Sequence, residues 1–356
     1  MSALQRQIGP DYAKMLGIIL VVWGHTIRGL INADILPADS PFWLNLDRAI
    51  YLFHMPLFFF LSGMFIQQTL AKTSLVDFFK RNVLLFIVPL IFWSYTQSGI
   101  QYLASANVNV ERSLDYVIQA PFPPKQQFWF LWALFLIACF SAVLIKLGMG
   151  KKTLLVLAVL TMAALSVGNM LGLDAISFKM AGQTFGEALF FFPYFVMGVW
   201  LSSPAVAQSR TGLALYMLIF AGSIVLYLGL YRQSNAYFYL FSLTAVYSCY
   251  QAIAYIAEWV QRRVENSDSR VLQNLHACLI FIGMNSFIIY LAHIIPEAGI
   301  RVVLLKLGFT QAYIHIIAGN LLGLLAPLLL VPVNLLLVRY WKSAKYIFPA
   351  RRMQYG

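Results

Sequence analysis

An apolar stretch near the N-terminus, residues 11–25, carries ionisable side chains at both of its ends. Asp11 and Lys14 lie at its start, and His25 lies at its end. On a helix, Lys14 and His25 share a face about three turns apart, roughly 16 Å along the axis. Ionisable groups in an apolar helix are costly, so each is a candidate for a functional site. A cation can bind an anionic ligand, and an imidazole can transfer a proton.

The composition predicts that membrane-spanning helices position these side chains. Of the 356 residues, 61% are hydrophobic and 11% are charged, and apolar runs of about twenty residues recur along the chain. We therefore predict an all-α integral membrane protein with about ten transmembrane helices, folded as a single domain over residues 1–356. The spans are predicted at residues 12–31, 49–68, 82–104, 128–147, 153–172, 186–202, 211–230, 236–257, 275–296 and 314–338.

The distribution of basic residues predicts that both termini lie in the cytoplasm. With this orientation, sixteen Lys and Arg residues fall in inner segments and eight in outer segments, as membrane proteins prefer, and an even number of spans agrees. Short cytoplasmic loops then account for the net charge of +12, so the expected surroundings are the lipid bilayer, and no nucleic-acid partner is expected. The three cysteines lack ligand-like spacing and predict neither a disulfide nor a metal site.

With this topology the candidate residues separate into an inner and an outer group. Lys14 and Arg81 lie near the inner ends of the first and third spans, whereas His25, His54 and His293 lie in the outer parts of theirs. Cations at an inner mouth favour a phosphate-bearing ligand from the cytosol. Imidazoles near the outer face favour proton transfer with a second substrate. The pattern predicts a site that is reached from both sides of the membrane.

Structural explanations compete with functional ones for several of these residues. For His25, which is aligned with Lys14, function is the better explanation because intramembrane polar groups are costly. His54 is equally explained by a ring that is hydrogen-bonded inside the bundle. Arg81 is also explained as an ordinary cytoplasmic flank of its span. Asp11 is either a helix N-cap or the residue that positions Lys14 three residues later.

Three further features lie in or beside the predicted spans. The Ser62-Gly63 pair interrupts the second span, where it either lines a cavity or marks a kink with close helix packing, the commoner case. Tyr290 precedes His293 by three residues, so it shares a helical face with that histidine and is a candidate orienting partner. Trp129 opens the fourth span, where aromatic residues are expected, and composition alone does not single it out.

Taken in order, these motifs resemble the membrane acyltransferase-3 family over nearly the whole chain. The first span carries Asp-x-x-Lys, ten further residues and then His, like the family's Arg/Lys-x10-His signature. The other matching motifs are Phe53-His54-Met55-Pro56-Leu57-Phe58-Phe59-Phe60-Leu61-Ser62-Gly63, Phe79-Lys80-Arg81, Trp129-Phe130-Leu131 and Ser286-x3-Tyr290-x2-His293. The His-Met-Pro-Leu-Phe-Phe-Phe form is most similar to the fucose 4-O-acetylase-like, glycan O-acetyltransferase branch.

The resemblance implies an activity. Members of this family are bacterial integral-membrane enzymes that move acyl groups, usually acetyl, from cytoplasmic acyl-CoA to hydroxyls of extracytoplasmic or lipid-linked glycans. It therefore implies a multi-pass enzyme of the bacterial inner membrane with acetyl-CoA as co-substrate and no metal. The implied acceptor is a sugar, an oligosaccharide or a lipid-linked glycan.

The resemblance also implies roles for individual residues. His25 matches the family's essential histidine and Lys14 its basic partner, while Arg81 and Ser62 match further motif positions. We expect the catalytic group to be His25, Lys14 and Asp11, and acyl-CoA to be bound by Lys14, Arg81 and Ser62. The acceptor is expected to contact His54, Trp129, Tyr290 and His293.

The chain departs from the family's pattern in two respects. Lys14 replaces the commoner arginine, which gives a point charge in place of a bidentate fork. No periplasmic hydrolase-like module is expected after the last span.

Two mechanisms are compatible with these residues. In the first, His25 is the general base on the acceptor hydroxyl, while Lys14 and Arg81 hold the phosphates of coenzyme A and the pantetheine arm follows the first helix. In the second, His25 is a transient acyl carrier that is loaded from inside and emptied outside. The sequence does not separate these schemes.

Two other classes of function remain open at this stage. A transporter or flippase for a glycolipid or anion would use the same buried cations and kinked spans. A non-catalytic membrane scaffold would tolerate replacement of His25 or Lys14. The transporter needs no proton acceptor at His25, so a glutamine there distinguishes it from an acyltransferase.

Overall fold

A bundle of helices, described at residues 8–105, 112–172, 183–202, 210–230 and 234–349, makes up the computed structural model. The described residues contain no β-strand. The first helix, α1 (Gly9–Ile31), has Pro10 in its first turn, where the missing N–H of a proline costs no intrahelical hydrogen bond. Arg28 lies in its last turn, where a cation stabilises the helix dipole.

The remaining helices follow in chain order. The first half of the chain contains α2 (Pro41–Tyr51), α3 (His54–Leu70), α4 (Leu75–Asn82), α5 (Val88–Leu103), α6 (Leu114–Ile118), α7 (Trp129–Lys146) and α8 (Lys151–Met170). The second half contains α9 (Gln183–Trp200), α10 (Arg210–Gly229), α11 (Asn235–Glu265), α12 (Arg270–Met284), α13 (Ser286–Ala292), α14 (Ile294–Lys306), α15 (Ala312–Leu325), α16 (Leu330–Tyr340) and α17 (Ala344–Ile347). A π-helical turn, Val83–Ile87, joins α4 to α5, and 3-10 turns at Gln126–Phe128 and Ala326–Leu329 precede α7 and α16.

The apolar helices confirm the predicted all-α membrane class. Seven stretches of the described chain are long and apolar enough to cross a membrane: Gly9–Ile31, Pro41–Leu70, Gln126–Lys146, Lys151–Met170, Arg210–Gly229, Asn235–Glu265 and Ala312–Tyr340. The pair α12 and α13, bent by 59°, makes an eighth if it counts as one span. The other two predicted spans, 82–104 and 186–202, coincide with the shorter helices α5 and α9. The number ten and the orientation of the termini stay predictions.

The first helix lies inside the bundle and packs against α3, α11, α12 and α15. Its N-terminal end approaches α12 backbone to backbone, since a Cβ atom at Gly283 would lie 2.0 Å from the carbonyl oxygen of Asp11. A Cβ atom at Gly9 would lie 3.1 Å from that of Ala254 on α11. Small residues at such contacts let helices approach closely in a membrane. These two contacts fix the position of the helical turn that carries Asp11 and Lys14.

Helices α3 and α9 approach each other backbone to backbone at two positions. A Cβ atom at Gly63 would lie 2.0 Å from the carbonyl oxygen of Phe195, and one at Gly198 would lie 2.0 Å from that of Phe60. The two glycines thus allow reciprocal contact between the backbones. Gly63 therefore marks close helix packing, one of the two explanations that the sequence offered. Ser62 lies on the side of α3 that faces away from α9.

The chain beyond the ninth predicted span differs from expectation. That span was predicted to end at residue 296, but the helical path continues without a long break into α14, which ends at Lys306. The backbone N–H of Glu297 donates to the carbonyl oxygen of His293 across the junction. Three polar residues of this path, His293, Glu297 and Arg301, are therefore brought to one helical side.

Candidate active site

Lys14 and Asp11 form an ion pair in the first turns of α1. The N-cap of this helix is Ile8, and Asp11 lies inside the first turn, so Asp11 does not serve as the cap. Lys14 Nζ lies 3.7 Å from Asp11 Oδ1 and 5.9 Å from the centroid of the Phe65 ring. The Asp11 side chain is 6% exposed and that of Lys14 is 27% exposed, so the cation is the more accessible partner. Asp11 therefore positions Lys14, which was the second of the two predicted roles.

A cavity of about 310 Å³ begins at Lys14 and runs along α1. We name it the inner cavity, and the cavity that contains His25 the outer cavity, after the predicted orientation of α1. Its polar side chains are those of Lys14, Ser62, Ser286 and Tyr290. The remaining wall is apolar and is formed by Val21, Met55, Phe58, Leu61, Phe65, Phe86, Phe130, Leu134 and Phe287. A slot with a cation at one end and an apolar wall suits an extended chain with an anionic head.

An outer cavity of about 440 Å³ contains His25 at the other end of the polar side of α1. It is lined by His25, Arg28, Gly29, Asn32, Ala33, Gln101, Arg112, Gln126, Ile294, Glu297, Ala298, Arg301, Val302 and Leu305. Lys14 and His25 thus lie in two different cavities on one helix. The sequence predicted a site that is reached from both sides of the membrane, and that access stays a prediction.

His25, which lines the outer cavity, lies beside the ring of His293, which does not line it. Their ring centroids are 5.1 Å apart, and the planes are tilted by 58°. His293 is fully buried, and its Nδ1 lies 3.0 Å and 2.8 Å from the carbonyl oxygens of Ile289 and Tyr290. Because carbonyl oxygens only accept, Nδ1–H is the donor in a neutral ring. Nε2 is then an acceptor, and it has no hydrogen-bond partner among the described residues.

Tyr290 connects the inner cavity to the histidine pair. Its ring lines the inner cavity and lies 6.4 Å from that of His293, centroid to centroid. Its hydroxyl donates to the main-chain carbonyl of Gln127, just before α7. It is the Tyr290 carbonyl, not the hydroxyl, that holds His293. The rings of Tyr290 and His293 thus form a row that leads from the inner cavity to His25.

His54 is buried inside the bundle, where its ring is hydrogen-bonded to the main chain. Its Nδ1 donates to the carbonyl oxygen of Ile50 at 2.8 Å, and the residue is 1% exposed. The His54 ring packs edge-on against the Tyr51 ring, with 4.4 Å between the centroids. The Arg28 guanidinium lies over the Tyr51 ring, 3.6 Å from its centroid. His54 lines neither cavity, so its predicted contact with the acceptor remains a prediction.

The other predicted residues fall on different sides of the inner cavity. Ser62 lines this cavity, and its hydroxyl donates to the carbonyl oxygen of Phe58 at 2.8 Å. Trp129 stacks on Phe191 at 5.3 Å and lines neither cavity, whereas the neighbouring Phe130 does line the inner one. Arg81 lies in the last turn of α4, where its side chain is exposed and lines neither cavity.

The sequence reasoning missed the charged residues of the outer cavity. Arg28 lies three residues after His25, and its Nε and Nη2 each donate to Asp47 at 2.8 Å. Glu297 and Arg301 follow His293 at intervals of four residues, which is the spacing of one helical side. That spacing was readable, but the predicted span ended one residue before Glu297.

No metal centre accompanies these residues in the described part of the chain. There, no group of three or more His, Cys, Asp or Glu side chains is arranged to hold a metal ion.

Comparison with known proteins adds evidence on ancestry. Residues 7–338 match the model of a family that is described as an acyltransferase domain. Nodulation protein NolL of Mesorhizobium japonicum is 30% identical to the chain over 133 residues, which are 37% of this chain and 34% of that relative. Nodulation protein NolL of Sinorhizobium fredii is 30% identical over 135 residues, which are 37% of this chain and 35% of that relative. The chain thus spans about a third of the length of these relatives, and no solved structure matches it.

Proposed function

The chain belongs to the acyltransferase family whose model covers residues 7–338, and on this premise we propose that it is a membrane O-acyltransferase. It transfers an acyl group, in the first instance acetyl, from cytoplasmic acyl-CoA to a sugar hydroxyl. The acceptor is a cell-surface or lipid-linked glycan, and the enzyme works in the bacterial inner membrane.

One observation supports this proposal above the others: two cavities lie on one helix, with Lys14 in the inner one and His25 in the outer one. Acyl transfer across a membrane needs a donor site and an acceptor site with a reacting group between them. The rise of the helix separates the two side chains by roughly 16 Å, which is of the order of the pantetheine arm's length. The family resemblance alone would not require this division.

On the donor side, Lys14 binds phosphate oxygens of coenzyme A through its ammonium group. Asp11 fixes the Lys14 side chain, and Ser62 lies farther along the same wall. The apolar side chains between Lys14 and Tyr290 exclude water from the pantetheine arm. Arg81 is exposed and does not line this cavity, so the proposal assigns the binding of the donor phosphates to Lys14 and not to Arg81.

On the acceptor side, His25 takes the proton of the sugar hydroxyl as that oxygen attacks the thioester carbonyl. The carbon–sulfur bond breaks, and the imidazolium of His25 returns the proton to the departing thiolate, so that coenzyme A leaves as the thiol. The rings of Tyr290 and His293 lie between the cavities, so the acyl end of the donor has to reach this pair. The buried ring of His293 lies 5.1 Å from that of His25, centroid to centroid, and helps to position it.

The test of the function is the acyl content of the surface glycan. A strain that lacks the protein is complemented with the wild type, with His25→Gln or with His276→Gln, which changes a histidine outside both cavities. Mass spectrometry of the glycan should show acylation with the wild type and His276→Gln, and nearly none with His25→Gln. An unchanged acyl pattern in the strain that lacks the protein contradicts the proposal.

A second measurement separates direct transfer from an acyl-histidine relay. The purified full chain in lipid nanodiscs is mixed with labelled acetyl-CoA without acceptor and quenched rapidly. Direct transfer predicts no label on the protein. A covalent label that disappears in His25→Ala would instead establish the relay.

A further inference from the structure

The charged side chains that line the outer cavity are unequal in number. Among its described lining residues, three are arginines, Arg28, Arg112 and Arg301, and one is a carboxylic acid, Glu297. The charge of Arg28 is matched by Asp47 in a bidentate pair with both distances at 2.8 Å. The positive charges of Arg112 and Arg301 have no such ion pair among the described residues.

The guanidinium of Arg301 lies against α1 close to His25. A Cβ atom at Gly29 would lie 2.3 Å from Nη1 of Arg301. The guanidinium can therefore occupy this position only because residue 29 has no side chain. Gly29 follows His25 by four residues, which puts the two positions on one side of α1, a single turn apart. Arg301 has no hydrogen bond and no ion pair with any described residue. A half-buried guanidinium that lines a cavity and has no acceptor among the described residues is suited to bind a planar oxyanion.

Glu297 forms no ion pair with Arg301, although it lies one helical turn before it on α14. It is 5% exposed, and its Oε1 has no hydrogen-bond partner in the described part of the chain. That oxygen would lie 2.6 Å from a Cβ atom at Gly323, so the side chain is turned into the contact with α15. The helix α14 is outside the candidate membrane spans; burial raises the pKa of Glu297, and the charge of Arg301 opposes this shift with a smaller effect.

Arg112 reaches the same cavity from a separate segment of the chain. It precedes α6, its backbone N–H donates to Ser105 Oγ at 3.1 Å, and its guanidinium lies 4.3 Å above the Tyr116 ring. Gln101 and Gln126 add neutral amide groups to the lining. Guanidinium groups from two separate elements that meet at one cavity are suited to carboxylate or phosphate oxygens.

We propose that the acceptor carries a carboxylate or phosphate group near the hydroxyl that is acylated, and that Arg301 and Arg112 bind this anionic group in the outer cavity. This inference rests on the proposed function, because it assigns the outer cavity to the acceptor. The anionic group has two chemical sources, a uronic-acid type sugar or the diphosphate of a lipid-linked glycan. Both present the oxyanion that the two guanidinium groups recognise.

The experiment uses the unacylated glycan that accumulates in a strain without the protein. One portion is treated with carbodiimide and borohydride, which converts carboxylates to alcohols, and another with mild acid, which removes a lipid diphosphate. Acetyl transfer from acetyl-CoA to each portion is then measured with the full chain in nanodiscs. We expect one treatment to lower kcat/KM for the acceptor about tenfold or more, since a charge-assisted hydrogen bond is lost, and the treatment that does so identifies the source.

Variants assign the effect to the two arginines. Arg301→Gln should raise the KM for the untreated acceptor about tenfold, leave the KM for acetyl-CoA unchanged and remove the difference between treated and untreated acceptor. Arg301→Lys should recover part of the loss, and Arg112→Gln should behave like Arg301→Gln. Lys306→Gln is the matched control, because this cation lies on the same helix and does not line the cavity.

Two results overturn the inference. One is a wild-type enzyme that uses both treated acceptors as well as the untreated one, and the other is an increase in the KM for acetyl-CoA in Arg301→Gln. The second result would mean that the arginines hold the phosphates of the donor. Failure of the proposed function is recognised separately, as absence of acetyl transfer to the untreated glycan, and it would remove the inference as well.

Discussion

At the scale of single residues, Lys14 and His25 carry different parts of the proposed reaction because they lie in different cavities. Lys14 is a compact point charge that is held 3.7 Å from Asp11. His25 forms no ion pair with a described residue, and its ring faces that of His293. Changes at the two positions should therefore affect different kinetic constants.

Replacing Lys14 should weaken donor binding. We expect Lys14→Ala to raise the KM for acetyl-CoA about tenfold or more, because a charge-assisted contact with phosphate is worth about 1.5–3 kcal/mol. Lys14→Arg should retain most of the affinity. The measurement is steady-state kinetics in nanodiscs with Lys72→Ala, an exposed cation outside both cavities, as the control. Equal constants for Lys14→Ala and Lys72→Ala would exclude Lys14 from donor binding.

Replacing His25 and replacing His54 should have opposite consequences. We expect His25→Gln to lower kcat by about 10²–10⁴-fold with little effect on stability, as for a lost general base. His54→Gln should lower the unfolding temperature and change kcat less, because the His54 ring is 1% exposed and bonded to Ile50. Kinetics and tryptophan-monitored unfolding of both variants test this. A loss of kcat in His54→Gln as large as in His25→Gln would assign a reacting role to His54.

At the scale of helices, the α3–α9 contact determines where the inner cavity lies. The two backbones touch at Gly63 and Gly198, which presses α3 against α9 on one side and leaves Ser62 and Phe58 on the cavity side. The same helix begins at His54, directly after α2. Any change that separates α3 from α9 should therefore affect stability first and donor binding second.

Adding a methyl group to this contact should destabilise the protein. We expect Gly63→Ala and Gly198→Ala to lower stability by about 1–3 kcal/mol or more, because each new Cβ would meet a backbone oxygen that cannot turn away. Gly99→Ala and Gly222→Ala are the controls, since a Cβ at either position meets nothing within 4 Å. Unfolding temperatures in detergent provide the comparison. Unchanged temperatures for Gly63→Ala and Gly198→Ala would refute the close contact.

At the scale of the whole molecule, the function depends on orientation. The family match and the apolar helices establish a multi-pass membrane protein, whereas the cytoplasmic position of the Lys14 end rests on the distribution of basic residues. The proposal needs that orientation, because acyl-CoA is a cytoplasmic donor. The two cavities give two positions at which the orientation can be measured.

Accessibility to a membrane-impermeant maleimide should differ between the two ends. In a Cys278→Ser background, which removes the exposed native cysteine, Asn32→Cys in the outer cavity should react in intact cells. Lys72→Cys at the other end should react only after the cells are made permeable. The physical reason is that the bilayer blocks the charged reagent. The reverse pattern would contradict a cytoplasmic donor site at Lys14.

Much of the site could be predicted from the sequence, since it depends on local spacing. The alignment of Lys14 with His25 follows from the helical repeat. The apolar runs specify membrane helices because polar side chains are costly in the bilayer. The i, i+3 pairing of Asp11 with Lys14 is local as well. These features need only one helix each.

Contacts between helices could be decided only by the tertiary structure. The pairing of His25 with His293 joins segments that are 268 residues apart in the sequence, and the place of Arg301 beside Gly29 depends on how α14 packs on α1. Neighbouring helices also determine that Arg81 is exposed and that the hydrogen-bonded ring of His54 is buried. Helical periodicity gives the side of a helix on which a residue lies, but the partner on that side is determined by packing, which no local pattern encodes.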